Sequence, residues 1–270
     1  MSPFLPANVV YKGIPFYFAT HQDDKVIGNA LRLGLVIEEQ ILNYLNTLIK
    51  PGSHILDAGA NIGSMSIILA KINPLVTIYC FEPDPLNYSL LNINIVLNDV
   101  QNIHTFNYAL SKEQKFTTFY KNNINYGDHR TSKPLENDAD ISNFGHLPMI
   151  VPSVNIVNFL KECLGEQSPN YFDIVKIDTQ GADIEILDSC LPLIKDHSTI
   201  VMEYCPYLLH RNGSSKKQIE KLLNNFSNIG VIYPSQPNII TSIDLEKIIS
   251  DFDILSPTIN YYDITLSRKK

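Results

Sequence analysis

The feature that most restricts the fold of this chain is a glycine-bearing turn between two regular segments. An apolar run ends at Asp57, the heptapeptide Asp57–Gly63 reads DAGANIG, and apolar residues at helical spacing then continue to Asn73-Pro74. Glycines at a strand-to-helix turn let the backbone approach a ligand, and the start of a helix favours negative charge. The pattern predicts a βα unit with a ligand site where the strand ends.

On both sides of this turn, short β-branched runs alternate with amphipathic stretches of helical length, which is typical of βαβ units around a parallel sheet. The predicted strands are residues 54–57, 77–81, 103–110, 173–178, 199–203, 230–233 and 263–266. We therefore expect an α/β domain over residues 51–270. Residues 1–50 are expected to form a hairpin and a helix packed on its core, and the polar residues 121–145 an irregular loop on the substrate side.

Composition narrows the classes of partner. Hydrophobic residues make up 44% of the 270 residues, which supports a substantial core, and the net charge of −7 without a basic stripe argues against a nucleic-acid partner. The four cysteines are far apart and no segment approaches the roughly 20 apolar residues of a membrane helix. We expect a cytoplasmic protein without membrane insertion, disulfide framework or metal site, and its oligomeric state stays open.

Glu82 is the second candidate ligand group. It ends the strand that follows the glycine turn, where a carboxylate can accept hydrogen bonds from both hydroxyls of a ribose. The same acid would serve NAD, but the turn lacks the third glycine of a GxGxxG loop. Asp57 at the end of the first strand suits a ligand with an amine-bearing part, such as the methionine moiety of S-adenosylmethionine.

Four segments together resemble the FkbM-like family of S-adenosylmethionine-dependent methyltransferases. They read LDAGANIGSMSIILAK, CFEPDPLNYSLLNINIVLN, NYALS and KIDTQGADIEIL, in the family's order, between about residues 52 and 205. The resemblance implies the class I methyltransferase Rossmann-like fold: seven mostly parallel strands, the last antiparallel, with helices on both faces. It also implies methyl transfer to an oxygen of a small-molecule or glycan substrate.

The resemblance also implies positions for the cofactor S-adenosylmethionine. The residues expected to contact it are Asp57, Gly59, Asn61, Gly63, Glu82, Asn107, Ala109 and Glu39. The amides of Gly59 and Gly63 could meet its carboxylate, and the strand end Asn107–Ala109 would border its adenine. Glu39 matches a family acid near the methionine end.

The sequence departs from the family after the fourth predicted strand. The usual Asp-Val-Glu-Gly is here Asp178-Thr179-Gln180-Gly181, so one carboxylate is missing. Asp178 stays a candidate catalytic residue, because open α/β sheets place their active sites at the carboxyl ends of strands. Glu203 ends the fifth strand and is a candidate for the same reason.

The polar loop carries the remaining candidates. His129 could act as a base, and Asp128 and Arg130 beside it could orient the imidazole and recognise an acidic substrate. Alternatives to an O-methyltransferase are a non-catalytic S-adenosylmethionine-binding protein and an NAD-dependent oxidoreductase. The sequence has neither the Asn-Pro-Pro-Tyr motif nor the Pro-Cys pair of nucleic-acid-base methyltransferases.

Overall fold

The structure is a computed structural model that describes residues 3–135, 141–145, 148–232, 240–257 and 259–268. The strands are β1 Phe4–Tyr11, β2 Ile14–His21, β3 His54–Ala58, β4 Thr77–Phe81, β5 Ile103–Phe106, β6 Ala109–Leu110, β7 Lys115–Phe119, β8 Met149–Val154, β9 Phe172–Ile177, β10 Ile194–Tyr204, β11 Asn228–Ile232, β12 Ile240–Ser242 and β13 Tyr262–Ser267. The helices are α1 Ile27–Arg32, α2 Glu39–Leu48, α3 Ser64–Ile72, α4 Pro85–Leu97, α5 Ile156–Leu164, α6 Asp183–Cys190, α7 Pro206–Arg211, α8 Lys216–Leu223 and α9 Leu245–Leu255. Single 3₁₀ turns lie at Ile141–Asn143, Gly165–Gln167 and Leu191–Leu193.

An eight-stranded sheet in the order β12-β11-β13-β10-β9-β3-β4-β5 forms the centre of the molecule. Strands β5, β4, β3, β9 and β10 pair in parallel, and β13 runs antiparallel to both β10 and β11. This is the class I methyltransferase arrangement with its antiparallel last strand, as the family resemblance implies. The eighth strand, β12, extends the edge beyond the expected seven by pairing with β11.

Apolar side chains cover both faces of this sheet. Along β3, Leu56 and Ala58 belong to one buried cluster and Ile55 to the other, because successive side chains of a strand point to opposite faces. Helices α5, α6, α8 and α9 pack on the first face, and α2 and α3 on the second. Central strands buried on both faces read as continuous apolar runs, which is why β3, β4 and β9 are recognisable in the sequence.

The N-terminal hairpin β1–β2 packs beside α4 and α3. Its residues Val9, Phe16 and Phe18 share the second cluster with α3. Polar ties add to this packing: Asn94 Oδ1 accepts from the Ala19 amide at 2.6 Å, and Asn98 Oδ1 accepts from the Tyr17 amide at 3.0 Å. The hairpin thereby brings α1 and the start of α2 to the carboxyl end of β3.

Other elements differ from the sequence prediction. The strand expected at residues 103–110 is divided: β5 joins the central sheet, whereas β6 pairs with β8 in a second sheet of order β6-β8-β7. The prediction missed β8, β12, α1, α7 and α9. The longer helix found within residues 1–50 begins at Glu39. The predicted strand end at Tyr233 and residues 136–140 of the polar loop lie outside the described residues. In the part of the chain that is described, no helix is both long and apolar enough to cross a bilayer.

Candidate active site

A cavity of about 420 Å³ lies at the carboxyl ends of β3, β4, β9 and β10. Its walls come from the glycine turn, the segments after β4 and β9, the polar loop, and the region from α1 to α2. Parallel strands bring their carboxyl ends to one edge of the sheet, so residues more than 100 positions apart line a single cleft.

Glu82 lies in the wall of this cavity and is buried. Its Oε2 accepts from the Asn61 amide at 2.9 Å and its Oε1 from the Asp84 amide at 2.8 Å, which fixes the carboxylate. Burial raises the pKa of Glu82 to about 8. Each carboxylate oxygen can accept a second hydrogen bond, so the group can still bind two ligand hydroxyls.

The glycine turn is held by its own chain. Gly59 has φ +85°, and a Cβ there would lie 1.9 Å from the Asp178 carbonyl oxygen, so only glycine fits. Its amide donates to Phe81 O at 3.0 Å, and the Gly63 amide donates to Ala60 O at 2.9 Å. In this arrangement the Gly59 amide is occupied by the end of β4 and the Gly63 amide by the turn itself, so the geometry does not favour the predicted contact of these amides with a ligand carboxylate.

Asp57 and Lys176 form a buried pair beneath the turn. Asp57 Oδ2 accepts from Ser66 Oγ at 2.6 Å, and its Oδ1 lies 3.3 Å from Lys176 Nζ. Lys176 Nζ also donates to Gly59 O at 3.1 Å and lies 3.6 Å from Asp178 Oδ2. Burial alone would lower the pKa of Lys176, but Asp57 and Asp178 outweigh it and raise the pKa. The lysine therefore stays charged and joins β3 to β9.

Acidic side chains dominate the end of the cavity beyond Lys176. Glu38, Asp178 and Glu203 line it together. Burial, followed by the charge of Asp178, raises the pKa of Glu38 to about 7. The same two causes raise the pKa of Glu203 well above its usual value. This end offers many hydrogen-bond acceptors and a negative potential that a donor-rich or cationic ligand would relieve.

His129 is buried in the opposite wall, and its tautomer follows from its partner. Nδ1 accepts from the Asn122 backbone amide at 3.1 Å, so the proton of the neutral ring must sit on Nε2. Nε2 lies 4.0 Å from Asp84 Oδ2, and burial lowers the pKa of His129 to about 4. A neutral ring with Nδ1 occupied is a hydrogen-bond donor, which does not fit the predicted role as a base.

Asp128 and Arg130 bind each other rather than standing free for a ligand. Arg130 Nε lies 2.6 Å from Asp128 Oδ1 and its second terminal nitrogen 2.7 Å from Oδ2. The guanidinium also lies over the Phe144 ring, 4.7 Å from its centroid. Both residues line the cavity. Because the Arg130 guanidinium already binds the Asp128 carboxylate through two nitrogens, the geometry does not favour recognition of an acidic substrate.

The cavity brings together most of the residues predicted for the site. The predicted residues in its wall are Asp57, Gly59, Asn61, Glu82, Ala109, Asp128, His129, Arg130, Asp178 and Glu203. Gly63, Asn107 and Glu39 do not line it. Asn107 instead donates to the carbonyls of Glu82 and Pro83, at 2.8 and 3.1 Å, and thereby fixes the backbone around Glu82.

The polar lining residues that the sequence reasoning missed include Glu38, Lys176 and Tyr261. Lys176 had a signal, because a lysine inside an apolar strand and two residues before Asp178 shares that residue's side of the strand. Glu38 had no such signal. Which of the neighbours Glu38 and Glu39 lines the cavity depends on the left-handed backbone at Glu38, with φ 49°. Among the described residues, no group of histidine, cysteine and acidic side chains has the arrangement of a metal site.

Sequence comparisons find similarity to proteins named as methyltransferases. The chain is 29% identical over 144 residues to Methyltransferase 1 of Beauveria bassiana, an alignment that covers 50% of this chain and 57% of that protein. It is 28% identical to Methyltransferase sdnD of Sordaria araneosa, covering 63% and 71% of the two chains. It is 23% identical to the 2-O-methyltransferase NoeI of Sinorhizobium fredii, covering 71% and 78%.

The chain thus spans little more than half the length of the first of these relatives and a larger share of the other two. A sequence model of the Methyltransferase FkbM domain matches residues 57–229, which is more than half of the chain and includes the glycine turn, Glu82 and Asp178. The chain belongs to the FkbM methyltransferase family.

Proposed function

We propose that the protein transfers a methyl group from S-adenosylmethionine to a hydroxyl of a small-molecule or carbohydrate-type substrate. The observation that carries the proposal is Glu82, a buried carboxylate in the cavity wall whose two oxygens keep free acceptor capacity. Burying an acid without enough donors is costly, and a ribose diol supplies two. Burial raises the pKa of Glu82 to about 8, and donors supplied by a ligand would favour its ionised form.

The residues present fit this cofactor. Glu82 would hold the ribose, and Ala109 and the neighbouring Tyr108 would border the adenine. The methionine end would face the segment from Gly59 to Asp178. When bound, the cofactor supplies an electrophilic methyl group on a sulfonium, whose positive charge suits a cleft lined by several carboxylates.

The acidic end of the cavity supports a hydroxylated acceptor. Glu38, Asp178 and Glu203 offer acceptors to substrate hydroxyls, whereas the Arg130 guanidinium is engaged with Asp128. An acidic substrate would meet like charge here. The relative NoeI is a 2-O-methyltransferase, which supports oxygen as the receiving atom.

Alignment of the two reactants contributes most to a methyl transfer, because the displacement has to be in line. We assign to Asp178 the role of accepting the proton of the acceptor hydroxyl, because it lines the cavity beside the cation of Lys176. His129 has Nδ1 occupied by the Asn122 amide and its buried Nε2 turned toward Asp84 Oδ2, so we assign it no step in the transfer.

A transfer assay tests the proposal. Protein, S-adenosylmethionine and a panel of sugars, polyols and hydroxylated small molecules are incubated, and formation of S-adenosylhomocysteine and methylated product is measured. Glu82→Gln should lower kcat/KM at least tenfold, because it removes a charged hydrogen-bond acceptor worth about 1.5–3 kcal/mol.

Glu162→Gln is the matched control, because Glu162 is exposed on α5, away from the cavity. It should leave the rate unchanged. Cofactor binding without turnover on any acceptor would favour a non-catalytic binding protein. Equal activity of the Glu82 variant and its control would contradict the assigned site.

A further inference from the structure

Gln180, where the family commonly has an acid, joins two carboxyl groups of the cavity. Its Nε2 donates to Asp178 Oδ1 at 2.8 Å. The same nitrogen lies 3.3 Å from Oε1 and 3.2 Å from Oε2 of Glu203. An amide nitrogen carries two hydrogens, so it can serve both carboxyl groups at once.

The backbone around Gln180 fixes the position of this amide. Gln180 has φ 54°, and Gly181 follows with φ 111°. A Cβ at Gly181 would lie 2.7 Å from Leu208 O, so the turn is pressed against α7. Asp183 accepts from the amides of Thr179 and Gly181, at 2.9 and 2.8 Å. A turn held on both sides leaves the side chain of Gln180 little freedom, and the amide acts as a fixed spacer.

The charges around this spacer explain why a neutral donor suits the position. The groups that interact electrostatically with Glu203 are Asp178 from the end of β9, Asp183 from α6, Asp263 from β13 and Glu38 before α2. Lys176 is the cation that pairs with Asp178, and Tyr261 is a further titratable neighbour. A carboxyl at position 180 could donate only while protonated, and once ionised it would repel both partners.

We propose that Gln180 is a positioning residue that holds Asp178 and Glu203 as a fixed pair of acceptors facing the substrate. This inference rests on the proposed methyl transfer only for the identity of the substrate. The amide replaces a group that could donate only while protonated, so its two hydrogen bonds do not depend on a proton of its own.

The first test follows the melting temperature of Gln180→Glu between pH 5 and pH 8.5 and needs no ligand. A carboxyl placed beside Asp178 and Glu203 has a higher pKa in the folded chain than in the unfolded one. Its contribution to stability is therefore present at low pH and is lost as pH rises through the folded-state value. Relative to wild type, the deficit should be small at pH 5, where the protonated acid keeps one bond, and should grow by about 2–4 °C by pH 8.5.

Two further variants make this test specific. Gln101→Glu adds the same charge at an exposed site and should follow wild type at every pH. The double variant Gln180→Glu/Glu203→Gln restores the number of carboxyl groups around the spacer. It should therefore regain at least half of the melting temperature that Gln180→Glu loses between pH 5 and pH 8.5. A deficit of Gln180→Glu that is independent of pH, or equal in Gln101→Glu, overturns the inference.

Ligand measurements separate this inference from the proposed function. Gln180→Glu should bind S-adenosylhomocysteine within about twofold of wild type, and its profile of kcat/KM against pH should move to higher pH, because a neighbouring negative charge disfavours ionisation of Asp178. A uniform loss of rate with an unmoved profile would reduce Gln180 to a structural role. Failure of wild type to bind the ligand would refute the proposed function, and the melting test would still decide the inference.

Discussion

Removing the buried cation Lys176 is the perturbation whose size the structure defines best. Lys176 Nζ lies 3.3 Å from Asp57 Oδ1 and 3.6 Å from Asp178 Oδ2, and its side chain is 8% exposed. Breaking a buried ion pair by deleting one partner costs about 3–5 kcal/mol, because the other charge is left without compensation. We expect Lys176→Met to lose this free energy of unfolding at pH 8, a fall in melting temperature of roughly 6–20 °C.

The pH dependence gives the sign of the effect. In Lys176→Met the carboxyl groups that faced the ammonium bind protons more readily when folded than when unfolded. The stability they contribute is then lost as pH rises, so the deficit should be smaller at pH 5 than at pH 8. Urea unfolding at both pH values, monitored by circular dichroism, measures the free energy of unfolding of the variant and of wild type. Lys176→Met/Asp57→Asn should recover part of the loss, since one uncompensated charge is gone.

An exposed pair provides the comparison. Lys112 and Asp188 are 2.7 Å apart with side chains 51% and 43% exposed, and exposed pairs contribute at most about 1 kcal/mol. Lys112→Met should therefore cost at most that amount and show little dependence on pH. The reasoning is refuted if the two lysine variants lose similar stability, or if the loss in Lys176→Met is the same at pH 5 and pH 8.

Three further predictions concern the ligand wall. With the pKa of Glu82 at about 8 in the free protein, ribose binding favours the ionised form, so the affinity for S-adenosylhomocysteine should rise from pH 6 to pH 8 and be flat in Glu82→Gln. His129, whose pKa is lowered to about 4, should contribute to acid unfolding as pH falls through about 6.5 toward 4, and His129→Gln should lose less stability over that window in acid titrations. Gly59→Ala should be unstable or unfolded in thermal melts, because its Cβ would overlap the Asp178 carbonyl, whereas Gly213→Ala, with no atom within 4 Å of its Cβ, should lose far less.

The predictable part of the site is the part encoded by local periodicity. A strand of buried residues followed by a glycine turn and a helix identifies Asp57 and Gly59, and the same logic one unit later identifies Glu82. Asp178 and Glu203 follow because they end parallel strands. These residues lie around one cavity because the parallel topology places the carboxyl ends of the strands at the same edge of the sheet, and not because of any local motif.

The rest depends on contacts between distant segments. The Asn61 side chain donates to Tyr126 O at 2.8 Å, 65 residues along the chain, and no pattern near either residue indicates this contact. The tautomer of His129 depends on the Asn122 amide. By contrast, α9 had a readable pattern, with apolar residues at 245, 248, 249 and 252, so missing it was an error of interpretation rather than a limit of the sequence.

The central claim is that the cavity with Glu82 in its wall binds S-adenosylmethionine, and calorimetric titration with S-adenosylhomocysteine at pH 8 tests it most directly, with NAD as the comparison. We predict saturable binding of one S-adenosylhomocysteine per chain, at least tenfold weaker in Glu82→Gln, and no binding of NAD. A folded wild-type protein that binds NAD instead, or binds S-adenosylhomocysteine equally well with and without the Glu82 carboxylate, would contradict the account.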